Sequence, residues 1–218
     1  MKTPLQNRVL PTGEIVSLHE RGLFMGNRGG RIHDPSTRTL LKRRWSSRRW
    51  ICCETSFKGR KRDIMGQGYT ELFFLDEVTS LAAGHRPCFE CRRTEAKAFL
   101  GALDMGSKAS GRPSSMLSTD DMDHLLHEDR LDGRKQRTFR AVLRDLPPAT
   151  MLDLDGTPIA LHERGMLLWT PAGYQDVQSV CDPAKEVTVL TPRATVAALA
   201  AGYRPAWHPT AEQIHFQN

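Results

Sequence analysis

Residues 69–93, YTELFFLDEVTSLAAGHRPCFECRR, place a strand, a helix and a two-cysteine knuckle in one short stretch and leave the chain little freedom in how it passes between them. Residues 69–75 read as a buried strand, rich in aromatic and aliphatic side chains. Asp76 stands where a carboxylate can accept from the free amides of a first helical turn, and a short helix through Ala83 follows. Gly84 falls where helices leave through positive φ. The chain then turns into Pro87-Cys88-Phe89-Glu90-Cys91. Two thiolates separated by two residues can point at one ion, because the tight turn between them offers backbone NH groups to the sulfurs. This spacing is half of a tetrahedral zinc site, so the other ligands must come from elsewhere.

Parts of the stretch recur. Leu81-Ala82-Ala83-Gly84-His85-Arg86-Pro87 returns as Leu199-Ala200-Ala201-Gly202-Tyr203-Arg204-Pro205, an offset of 118, behind a segment (189–201) that again reads as a strand and a proline-started helix. Leu18-His19-Glu20-Arg21-Gly22 returns unchanged as Leu161-His162-Glu163-Arg164-Gly165, an offset of 143. The expectation is an internal duplication whose first copy carries about twenty-five extra residues and whose second copy has lost the knuckle.

The extra segment holds the charge. Between Arg38 and Arg62 stand ten basic residues (Arg38, Lys42, Arg43, Arg44, Arg48, Arg49, Lys58, Arg60, Lys61 and Arg62) against Glu54, a net of +9 in a chain of +6, so the remainder sums to −3. Basicity this local is what a polyanion-binding surface requires. Arg43-Arg44-Trp45 and Arg48-Arg49-Trp50 repeat at a five-residue interval; guanidinium groups can hold phosphates and an exposed indole can stack on an unpaired base. The alternative puts the tryptophans in the core and the arginines on a solvated face. Upstream, residues 13–25 suggest a strand pair. The run Gly26-Asn27-Arg28-Gly29-Gly30-Arg31 reads as a turn that does not match a nucleotide-binding glycine fingerprint, followed by His33-Asp34.

Trp50-Ile51-Cys52-Cys53-Glu54 supplies the missing half of the metal site. Side chains alternate along a strand, so only one of the adjacent cysteines reaches Cys88 and Cys91 easily, and Cys53 is the one expected. The fourth ligand is left among Cys52, His33 and His85. Five cysteines, an odd number, fit metal binding better than disulfides, and Cys181 reads as a small buried residue. The N-terminus lacks the apolar run of a signal peptide and no segment reaches membrane-spanning length, so a cytoplasmic protein is expected.

Residues 77–92, EVTSLAAGHRPCFECR, resemble the end of the zinc-binding domain of the Ada alkyl-phosphotriester repair proteins, where a helix ends in Ala-Ala-Gly and an aromatic-Arg-Pro-Cys-x-x-Cys knuckle follows. Together with GNRGGRIHD and TELFFLDE, the motif also resembles a bacterial family of uncharacterised proteins. The Ada resemblance implies a zinc knuckle close to DNA, over about forty residues of this chain. In that family two further cysteines lie in a C-x-x-x-C arrangement and one accepts the alkyl group; here Ser56 stands four residues after Cys52.

Further on, residues 95–103 read as helix, 105–118 as a Gly/Ser/Pro loop, and a helix capped by Thr119 or Asp120 turns Met122, Leu125 and Leu126 inward; residues 134–143 read as another helix. Asp123-His124 has the look of a nuclease pair, although His124 and His127 fit the polar face of an amphipathic helix better. The chain as a whole is expected to be an α+β protein of two related strand/helix units bridged by helices: residues 1–103 with the zinc knuckle and basic insert, 104–150 as connector, and 151–218 as the degenerate copy. The expected function is zinc-stabilised nucleic-acid binding, DNA before RNA. An enzyme acting on DNA and a module for an acidic protein partner are the alternatives.

Overall fold

The computed structural model describes residues 3–109, 111, 116–177 and 182–214. In chain order the strands are β1 (Gln6–Val9), β2 (Ile15–Ser17), β3 (Phe24–Arg28), β4 (His33–Asp34), β5 (Thr39–Leu40), β6 (Trp50–Glu54), β7 (Leu72–Phe74) and β8 (Arg86–Pro87), with helix α1 (Glu77–Ala82) between the last two. Helices α2 (Arg93–Ala109) and α3 (Thr119–Arg130) follow. Strands β9 (Leu131–Asp132), β10 (Lys135–Gln136), β11 (Phe139–Val142), β12 (Met151–Leu154), β13 (Thr157–His162), β14 (Gly165–Thr170), β15 (Gly173–Asp176) and β16 (Glu186–Val189) lead to α4 (Arg193–Ala200) and α5 (Pro209–Gln213). Cys181 lies outside the described residues.

The result is α+β with two six-stranded sheets. The first runs β2-β1-β7-β3-β6-β8 and is mixed, β1–β7 and β6–β8 being parallel; the second runs β11-β16-β12-β13-β14-β15 and is antiparallel throughout. Their shared core takes Val78 and Leu81 from α1, Phe99 and Leu103 from α2, Met122 and Leu126 from α3, Met151 and Leu167 from the second sheet and Leu199 from α4. Apolar residues at helical spacing on four helices thus converge on strands whose alternate side chains face them. Residues from early, middle and late in the chain all enter this one cluster. Among the described residues no helix is long and apolar enough to cross a membrane.

Asp76 caps α1 as its sequence demands: its carboxylate accepts from Thr79 N at 2.8 Å and Thr79 Oγ1 at 2.7 Å, and Gly84 leaves the helix at φ +78°. The repeated heptapeptide builds the same ending twice. Gly84 N donates to Leu81 O and His85 N to Ser80 O; at the offset of 118, Gly202 N donates to Leu199 O and Tyr203 N to Ala198 O. The strand pairing around the two copies differs, since β7 runs parallel to β1 whereas β16 runs antiparallel to β12. The likeness of the halves is therefore local to the helix ends and to the turns at Gly13 and Gly156, both at positive φ.

Several elements depart from expectation. β2 and β3 do not pair with one another: β2 pairs with β1, and β3 lies between β7 and β6. Gly26, Asn27 and Arg28 belong to β3 rather than to a turn. A Cβ at Gly26 would collide with the Ile51 carbonyl, so glycine here marks close strand approach. Helix α2 continues through Ala109, past the end expected at Leu103. Residues 134–143 form β10 and β11 instead of a helix, because Phe139–Val142 pairs along β16 and the Gln136 amide nitrogen sits within 3.1 Å of the carbonyls of Pro11, Ala82 and Leu190. Those long-range bonds outweigh the weak local preference for helix.

Candidate metal centre and adjoining cationic groove

Strand β6 carries Cys52 and Cys53 to opposite faces of the first sheet. Cys52 is fully buried with Val9, Leu72 and Phe74, and Arg92 Nη1 reaches its sulfur at 3.6 Å. Cys53 points to the other face, beside Met25 and Cys88. Strand β8 pairs parallel to β6, Cys88 N donates to Cys52 O at 2.9 Å, and the knuckle then runs directly into α2. The geometry brings the sulfurs of Cys53, Cys88 and Cys91 within 4.8 Å of one another. Glu90 N donates to Cys88 Sγ, the kind of bond that the turn was expected to offer, and Glu54 N of β6 donates to Cys91 Sγ, each at 3.4 Å.

Three sulfurs this close suit a cation better than three protons. Hydrogen bonding from the Cys53 thiol pushes Cys88 down to about 5 and lowers Cys91, while the same two bonds, followed by burial, push Cys53 far up. These directions place the proton preferentially on Cys53. A thiophilic divalent ion that displaced it would meet three negative ligands. The donor set fits zinc, whose structural sites take four ligands and whose catalytic sites take three and leave one position open.

None of the three candidates for a fourth ligand joins the cluster. Cys52 is on the wrong face. Both ring nitrogens of His33 are engaged, Nδ1 with Thr70 Oγ1 at 2.6 Å and Nε2 with Gly66 O at 2.8 Å. His85 is buried between Trp50 and Phe74, at centroid distances of 5.1 and 4.7 Å, with Arg28 Nε facing its Nε2 at 3.4 Å. Among the described residues the cluster is Cys53, Cys88 and Cys91 alone.

The basic segment divides into buried and exposed parts. Trp50 is 2% exposed and packs in the core, whereas Trp45 is half-buried against Trp50 and His127. Arg43 donates to Arg31 O and Arg44 to Leu41 O. Arg48, Arg49, Lys58, Arg60 and Lys61 are exposed and Arg62 is half-buried, donating to Thr55 O and to the Tyr69 hydroxyl. Carboxylates answer Arg49 (Asp120, 3.1 Å) and Arg60 (Glu90). Among the described residues, Lys42, Arg43, Arg44, Arg48, Lys58, Lys61 and Arg62 have none within 4.0 Å. A groove of about 1010 Å3 is lined by Arg48, Arg49 and Arg86 together with Cys88, Phe89 and Glu90, so the cationic surface and the knuckle share one concavity.

The nuclease-like pair is used differently. Asp123 is 3% exposed and holds Arg86 through two bonds, while His124 is exposed beside Arg48 and Glu128. Sequence reasoning missed Arg86 in this role, as well as Arg28 and Arg130, whose guanidinium groups lie over the Trp50 ring. The Arg-Pro preceding the knuckle could have drawn attention to Arg86; no sequence signal marks Arg130. Comparison with protein-family models, curated proteins and solved structures yields no match, so the geometry carries the functional reading.

Proposed function

We propose that this chain is a zinc-stabilised nucleic-acid-binding protein, with DNA preferred over RNA. The observation that carries the reading is the shared groove: Arg48 and Arg49 directly precede the strand bearing Cys53, and they line one concavity with Cys88. Zinc held by Cys53, Cys88 and Cys91 fixes β6 against the knuckle and thereby sets the direction in which the arginines point, since metal-ligand bonds add directly to folding free energy. The Ada-like form of the knuckle favours DNA. The test is a gel-shift series on single- and double-stranded DNA with the zinc-loaded protein and with Arg48→Ala/Arg49→Ala. Binding that weakens steeply with salt and is lost in the double variant supports the reading, and unchanged binding in that variant refutes it.

The three-ligand cluster favours a second reading, in which the open position or one of the thiolates does chemistry. Cys53, Cys88 and Cys91 would hold the ion, which would keep their sulfurs as thiolates at neutral pH, and one of these sulfurs would attack a methyl phosphotriester, the S–CH3 bond forming as the O–CH3 bond breaks and the phosphodiester leaving as the anion. Intact-protein mass spectrometry after incubation with methylated DNA tests it. A gain of one methyl group in place of a proton, lost in a Cys91→Ser variant or a Cys53→Ser variant, supports transfer; an unchanged mass counts against it.

A further inference from the structure

Trp50 supports two buried cations. The Cζ atoms of Arg28 and Arg130 lie 4.1 and 4.3 Å from its ring centroid, and the two residues are 3% and 1% exposed. Neither has a carboxylate within 4.0 Å among the described residues. Their donors go instead to main-chain oxygens and imidazole nitrogens, Arg28 Nη2 to Gly13 O at 2.8 Å and Nε to His85 Nε2 at 3.4 Å, Arg130 to Gly84 O and Arg48 O with Nη2 also 3.3 Å from His127 Nδ1, and Arg130 Nε has no partner. Buried guanidinium groups are ordinarily neutralised by an acid, because desolvation of an unpaired charge is costly. Burial pushes both down to about 9, with Arg44 adding to the effect at Arg28, and with Asp123 opposing it but Arg28 adding to it at Arg130. Two positive groups lie on one indole with no carboxylate in ion-pair contact among the described residues, Asp123 being engaged with Arg86.

They also line a cavity. Arg28 and Arg130 border a space of about 500 Å3 into which Arg44, Arg134 and Lys135 also face, Glu14 being the acidic residue in its lining and Trp45 one of its aromatic walls. It shares no lining residue with the groove beside Cys88. Its volume lies within the range of small-ligand sites. Guanidinium forks match phosphate oxygens two at a time, five cations suit a dianion better than a carboxylate, and the half-buried face of Trp45 offers a surface for a flat ring.

We propose that this cavity binds the 5′-phosphate of a nucleotide, with the phosphate among Arg28, Arg130 and the Arg134–Lys135 edge and the base against Trp45. The ligand is a free mononucleotide or the 5′-terminus of a strand, which share this chemistry. The site does not depend on zinc, and no cysteine takes part in it.

Calorimetric titration of the full chain with adenosine 5′-monophosphate, with adenosine, and with 5′-phosphorylated and 5′-hydroxyl oligothymidylate tests the proposal. The two probes with a terminal 5′-phosphate bind, whereas adenosine and the 5′-hydroxyl strand, which keeps its phosphodiesters but lacks the terminal phosphate, bind at least about tenfold more weakly. Arg134→Ala/Lys135→Ala, on an exposed hairpin, and Arg44→Ala each lower the affinity for the phosphorylated probe about tenfold or more while circular dichroism stays unchanged. Tighter binding of the phosphorylated strand than of the mononucleotide identifies a strand terminus, and the reverse identifies a free nucleotide. Absence of binding by both 5′-phosphorylated probes, equal binding with and without the terminal 5′-phosphate, or unaltered affinity in these variants overturns the proposal. The zinc ligands and Arg48 and Arg49 are untouched, so failure here is distinct from failure of the DNA-binding reading.

Discussion

Arg86 and Asp123 face each other through two hydrogen bonds, Nε to Oδ1 at 3.0 Å and Nη2 to Oδ2 at 2.8 Å, with each side chain 5% exposed. Arg86 stands two residues before the first knuckle cysteine, and Asp123 is on α3, so the pair ties the two-cysteine knuckle to the helical layer. Removing one partner leaves an uncompensated charge in the interior. Asp123→Ala is expected to cost about 3–5 kcal/mol in urea unfolding, whereas Arg86→Met/Asp123→Leu recovers most of that loss. If the single variant unfolds at the wild-type urea concentration, the pair contributes little.

The two adjacent cysteines should separate cleanly under metal analysis. Protein purified without added zinc is expected to hold about one zinc per chain; Cys53→Ala abolishes it, while Cys52→Ala retains it because its sulfur lies on the far face of β6. Chelation of wild type should lower the melting temperature and leave that of Cys53→Ala unmoved. Equal zinc loss in both variants would contradict the assignment.

Acid should weaken the fold through His85. Burial, reinforced by Arg28 from β3 and Arg130 from α3, holds this imidazole well below its ordinary value of 6.5. The unfolded chain takes up a proton near 6.5 while the native state does not, so the stability is fully present above that pH and declines as pH falls below it, by at most about 1.4 kcal/mol per pH unit for this group. His127, also lowered by burial, acts in the same direction. His85→Phe should reduce the slope of unfolding free energy against pH below 6.5, as read from urea melts; an unaltered slope would show that the imidazole is protonated when native.

The two helix-ending glycines should differ in cost. Both lie at positive φ, +78° at Gly84 and +101° at Gly202, but a Cβ at Gly84 would approach Arg130 Cδ to 2.7 Å, whereas at Gly202 it meets nothing within 4 Å. Gly202→Ala is expected to cost about 1–2 kcal/mol from backbone strain alone, and Gly84→Ala measurably more. Equal melting temperatures for the two variants would show that Arg130 yields without penalty.

What could be read in advance was whatever short-range rules decide. Asp76 as a cap, Gly84 as an exit and the opposite facing of Cys52 and Cys53 follow from helix ends and strand alternation, which involve only neighbouring residues. The errors fall where distant partners decide. Gly26 and Gly29 look like a loosening of the chain, but a Cβ at either would strike Ile51 or Ser47, so they mark tight packing. Gln136 sits in a run that favours helix, yet its amide bridges three separate segments. Arg28 and Arg130 are charged residues that sequence places at the surface, and only the fold brings them onto Trp50.

The start of α1 carries two buried carboxylates that later residues satisfy. Tyr174 and His208 N donate to Asp76, at 2.8 and 3.0 Å; Tyr203 and Ala206 N donate to Glu77, at 2.5 and 2.9 Å. As the chain emerges from a ribosome, the cysteine-bearing lobe is therefore complete in text, with Thr79 and Arg92 already available to its interior acids, long before their other four donors exist. The full set of donors is present only once His208 has been synthesised. A ribosome stalled before that point displays a lobe in which Asp76 keeps Thr79 and Glu77 keeps Arg92 but neither has its donors from the second half of the chain.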